Sequence, residues 1–125
     1  MHRTATRVSI PHASLVLASF LLSIAGAVQA QSRGRQVQCH VETAGRVEMS
    51  GQCLFTRERG GSFTLENADR DKPLFGEVLM VSVSIVSPDV AEVRGLTIRG
   101  INSRWGPARR DGACWEGSDF RICAR

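Results

Sequence analysis

Beyond its first thirty residues the chain has no stretch with a helical hydrophobic period. Nor does that part hold an apolar run of the ~20 residues that a membrane-crossing helix needs. Histidine is scarce. Of three in the chain, His2 and His12 fall in the first thirty residues, which leaves His40. A histidine-dependent nucleophile or a zinc site would have to use it. It lies between Cys39 and Val41, two positions expected to face inward, and so should point outward from a strand. The cysteine spacings fit no zinc module and include no Cys-x-x-Cys, which removes a thiol oxidoreductase. Arg59-Gly60-Gly61 reads as a hairpin turn and opens no helix, so no phosphate-binding loop is present. Glu66, Asp69 and Asp71 share one loop, but they lack the glycine and terminal glutamate of an EF-hand and are interrupted by Arg70 and Lys72. No metal and no cofactor are expected.

The opening of the chain has a different character. Met1–Arg7 is a short basic leader, Ser14–Val28 is almost wholly apolar, and Val28-Gln29-Ala30 sets small residues two apart before a polar stretch. This is the pattern of a secretory signal peptide cleaved after Ala30. Cleavage would remove Arg3 and Arg7 and no acid, lowering the formal net charge from +4 to about +2. That is no nucleic-acid footprint. Lys72 is the only lysine, and the arginine bias reads as the composition of a GC-rich bacterial genome.

The four cysteines, Cys39, Cys53, Cys114 and Cys123, all follow the cleavage site. In an exported chain they should form two disulfides. Pairing of near neighbours, Cys39 with Cys53 and Cys114 with Cys123, places each bridge in its own strand-and-turn pattern. No cysteine stands directly after the cleavage site to carry a lipid. The expectation is a periplasmic or secreted domain with no membrane span once the signal is removed.

Residues 31–36 are polar and are expected to form a flexible tail before a single β domain over residues 37–125. From Val37 the pattern has period two. Val37, Cys39 and Val41 alternate with polar residues. After a turn at Thr43-Ala44-Gly45, Val47, Met49, Gly51, Cys53 and Phe55 repeat the alternation. Such patterning gives strands with one buried face and puts Cys39 and Cys53 on it. Arg57–Gly61 is a second turn, before Phe63 and Leu65, and Glu66–Gly76 is a loop. Glu77–Ser87 is the strongest strand, with Leu79, Val81, Val83 and Ile85 inward. Pro88-Asp89 turns the chain into a strand over Val90–Ile101. There a bulge at Gly95 would return Leu96 and Ile98 to the inner face. Two short strands end the chain, around Cys114-Trp115 and Phe120–Cys123, with Trp115 packed on the disulfide. The fold expected is all-β: an antiparallel meander of six or seven strands closed as a small barrel or sandwich.

The segment Ile101–Gly112 has the composition of a loop. It sets Trp105 beside Arg104, Arg109 and Arg110, the two residue types most enriched in binding hot spots. These four are the candidate binding residues. If Trp105 instead folds under the loop as a satellite core, the arginine stems cover it. The function expected is a binding or inhibitor-like module for an acidic protein, for example an exported hydrolase whose catalytic carboxylates receive an arginine. The small, exported, disulfide-stapled β architecture resembles that of bacterial lysozyme inhibitors, although their motifs are absent. An envelope-associated structural protein with no discrete site is the alternative, and a small carboxylate hydrolase a lesser one. An exposed Trp105 favours the first, a buried Trp105 the second, and facing carboxylates in a pocket the third.

Overall fold

The computed structural model describes residues 6–11, 26 and 34–125, with the side chains of Asn102, Ser103 and Arg104 excepted. The expected cleavage site at Val28–Ala30 and residues 31–33 of the expected tail lie outside the described residues. The period-two segments form eight strands. They are β1 (Arg35–Thr43), β2 (Arg46–Arg57), β3 (Phe63–Glu66), β4 (Val78–Ser87), β5 (Val90–Thr97), β6 (Gly100–Asp111), β7 (Cys114–Glu116) and β8 (Phe120–Ala124). Each pairs antiparallel with the next. β8 then returns to β1, from Cys39↔Ala124 to Thr43↔Phe120, and closes a barrel.

Eight strands enclose a space that side chains just fill. Val41, Leu65, Val81, Val83, Val93 and Ile122 occupy it and are fully buried. The disulfides are Cys39–Cys53 and Cys114–Cys123, with Cα atoms 5.8 Å and 4.0 Å apart. Cys39 and Cys53 face the interior and belong to the core, as their parity requires. Cys114 and Cys123 sit directly opposite one another on β7 and β8, outside the core cluster. Because successive strand residues point to opposite faces, the neighbouring Trp115 turns inward and joins the core rather than resting on that bridge.

The eighth strand arises where composition and pairing disagree. The expected strand over residues 90–101 divides at Ile98-Arg99, and the expected loop over residues 101–112 is most of β6. The ladder Val90↔Arg109 to Thr97↔Gly100 satisfies backbone groups that a loop would leave to water, and it overrides the Asn, Gly and Pro content. Gly100, at φ 120°, supplies the backbone conformation that this tight hairpin needs. The register jumps from Val93↔Gly106 to Gly95↔Asn102, so the bulge belongs to β6, opposite Arg94, and not to Gly95. β5 therefore keeps its alternation. Leu96 lines an outer groove and Ile98 is exposed, where both were expected inside.

Two of the three further register shifts move single residues off their expected face. Val41↔Met49 is followed by Glu42↔Val47, and Val47 is turned out to solvent. Val78↔Thr97 is followed by Met80↔Leu96, so Val78 packs on the core in place of Leu79. At the other end of the alternation, β1 begins at Arg35, two residues before the expected start.

Candidate functional site

The two ends of the barrel are built differently. One carries the Ala44-Gly45, Ile98-Arg99 and Gly117–Asp119 turns and the loop over residues 67–77. Side chains of that loop fold its own backbone: Asn67 Nδ2 donates to the Pro73 carbonyl at 2.9 Å. The amides of Asp69 and Asp71 donate to the side-chain oxygens of Asn67 and Asp69, at 2.9 and 3.1 Å. The acidic residues thus serve as turn formers, and no cluster able to hold a metal occurs among the described residues. This loop carries Leu74 into the core and Phe75 against Trp105. The indole of Trp105 packs edge-on against Phe75 and Phe120, with centroids 6.2 and 5.4 Å away. Edge-to-face packing at these distances is favourable for aromatic rings. This end is plugged.

The opposite end is open. It is bounded by the Arg59–Gly61 3₁₀ turn, the Pro88-Asp89 turn and the Gly112-Ala113 turn, and it holds a cavity of about 540 Å³. Phe55 stacks on Phe63 at 4.8 Å, and with Ile85 and Trp115 these rings form the apolar lining. Arg57, Asp89 and Arg110 add polar groups at the rim. Arg35 approaches from β1, with its guanidinium 5.6 Å from the Phe55 ring.

Arg110 is anchored at this mouth by several contacts. Its amide donates to the Asp89 carbonyl at 2.9 Å. Its Nε donates to the Gly112 carbonyl at 3.3 Å, and the guanidinium lies 5.8 Å from the centre of the Trp115 ring. Asp89 Oδ1 is 4.0 Å away, in an exposed pair that is weak in water. An incoming carboxylate can take that place with two short bonds to the same fork. Among the described lining residues Asp89 is the one carboxylate, and no second acid faces it there. The mouth lining sets a guanidinium beside an apolar, aromatic surface.

The three candidate residues whose side chains are described, Trp105, Arg109 and Arg110, do not form one patch. Trp105 is buried, with 3% of its surface exposed, and belongs to the core of the plugged end. It is no part of an exposed patch, contrary to the recognition reading. The side chain of Arg104 lies outside the described residues. Arg109 is exposed beside its register partner Glu116 on the outer face, whereas Arg110 lines the mouth. The cause is strand geometry: at about 3.3 Å per residue, Trp105 and Arg110 sit at opposite ends of the barrel.

The mouth residues that the sequence reading missed are Phe55, Arg57, Phe63, Ile85, Asp89 and Trp115. One local signal was available, since Phe55 and Phe63 flank the Arg57–Gly61 turn. Their meeting with Arg110 and Trp115 depends on barrel closure. His40 points outward as expected and bonds Glu42 at 2.8 Å, away from the mouth. Comparison with protein families, curated proteins and solved structures finds no match, so the site stands on its own geometry.

Proposed function

We propose that this protein is an exported, non-catalytic binding module that engages an acidic partner through the open mouth, with Arg110 as the contacting charge. The observation that supports this is the position of Arg110 on the Trp115 face at the rim of a concave, aromatic-lined cavity, held there by Asp89 and Gly112. Barrel mouths are common ligand sites, and an arginine braced by an aromatic ring is a typical anchor. An exported hydrolase is the concrete partner: a cleft lined by catalytic carboxylates would accept the guanidinium and the apolar rim together. The leader sequence and the two disulfides support a periplasmic or secreted location, since disulfides persist in oxidising compartments.

The test is inhibition or binding of exported glycoside hydrolases and proteases by the purified protein, by Arg110→Glu and by Arg109→Glu. Loss with Arg110→Glu alone supports the mouth. Equal loss with both points to diffuse charge attraction, and equal retention removes Arg110 from the interface. The burial of Trp105 favours the second reading, an envelope-associated structural protein with no discrete site. That reading expects no partner to be sensitive to Arg110.

A further inference from the structure

We propose that the outer face of β4 and β5, with Ile101 of β6, is the contact face of a symmetric dimer, with a second copy of this chain as its occupant. The proposal is independent of the mouth. A closed barrel leaves little strand edge to extend, so self-association must use a face. Two of the most exposed large apolar side chains, Val86 and Ile101, belong to this one, at 64% and 75% exposure. Met80 and Leu96 add to it along a groove of about 620 Å³. Met80, Leu96 and Ile101 gather at one end of the groove and Val86 stands at the other; clustered exposed apolar surface on a small domain marks an interaction site.

What identifies the occupant is the order of residues across the groove. On β4 the outward row begins with Met80, passes through Ser82 and Ser84, and ends with Val86. Beside it β5 presents Leu96, Arg94 and Glu92, with Ser82↔Arg94 and Ser84↔Glu92 in register. Among the described residues, neither Arg94 nor Glu92 has an ion-pair partner. A two-fold axis lying in the contact plane, across the strands at the level of Val83 and Val93, sets Glu92 of one copy against Arg94 of the other, twice. It also brings the Met80 end onto the Val86 end, while the serines leave room for close approach. Such self-complementarity is the requirement of an isologous interface, and an unrelated partner has no reason to meet it.

Sedimentation equilibrium of the purified, disulfide-bonded protein tests this. The wild type should show a reversible monomer–dimer equilibrium below about 100 µM. Glu92→Arg and Arg94→Glu, each placing like charges together, should weaken the dimer at least about tenfold, and the double exchange should restore it. Ile101→Lys should weaken it as well, with an unchanged near-ultraviolet circular dichroism spectrum showing that the fold is intact. A wild type that remains monomeric in this range would overturn the proposal, as would a dimer indifferent to all of these changes. Binding of the monomer to phosphatidylglycerol vesicles without self-association would also overturn it, by assigning the face to lipid.

Discussion

The indole of Trp105 lies against the backbone of Gly95, so that a Cβ at residue 95 would stand 2.6 Å from Trp105 Nε1. The bulge in β6 swings Trp105 over β5, and β5 answers with the one residue that has no side chain. Gly95→Ala should therefore destabilise the protein by about 1–3 kcal/mol through overpacking. Thermal melting checks it, and an unchanged midpoint would mean that the indole can move aside freely.

Trp105→Ala removes the centre of the same plug, from between Phe75 and Phe120. The expected loss is about 3–5 kcal/mol, read from urea unfolding. Binding by the remaining folded molecules should persist, because the mouth is at the other end. A mutant of normal stability that fails to bind would return Trp105 to the interface.

The two disulfides should contribute unequally. Cys39–Cys53 closes the longer loop, with a sequence separation of 14 against 9, and it also fills the core. The double change Cys39→Ala/Cys53→Ala should cost about 3–5 kcal/mol, combining lost loop constraint with a cavity. Cys114→Ala/Cys123→Ala, away from the core cluster, should cost less. The ranking is measured by chemical denaturation of the two variants, and the reverse order would contradict the packing described.

Much of the barrel could be read from the sequence. Local alternation carried the strands, the inward parity of Cys39 and Cys53 and both disulfide pairings, because each of these depends on neighbours in sequence. Residues 102–111 read as a loop because Asn, Gly and Pro report local turn preference, while β6 is held by a ladder to β5 that composition does not display. The candidate site was legible only at Arg110. Its companions come from β2, β3, β4 and β7, and nothing short of barrel closure brings them together.

Export should remove residues 1–30, because Val28 and Ala30 are small residues at the positions that the peptidase reads. Intact mass of the protein recovered from the periplasm checks this. A chain still beginning at Met1 would count against the proposed location.

The most direct test of the binding account uses the two tryptophans, one at each end of the barrel. In a nitrogen–proton correlation spectrum, each indole N–H gives its own signal, assigned by Trp105→Phe and Trp115→Phe. Titration with hexaglutamate at low salt, as a probe of acidic recognition, should shift the Trp115 signal and the amides around Asp89, Arg110 and Gly112. The Trp105 signal should stay in place. The shifts should vanish in about 1 M salt, where screening shortens to ~3 Å. Saturable shifts at Trp105, Phe75 and Phe120 with a silent Trp115 would place the binding end of this molecule opposite to the mouth and contradict the account.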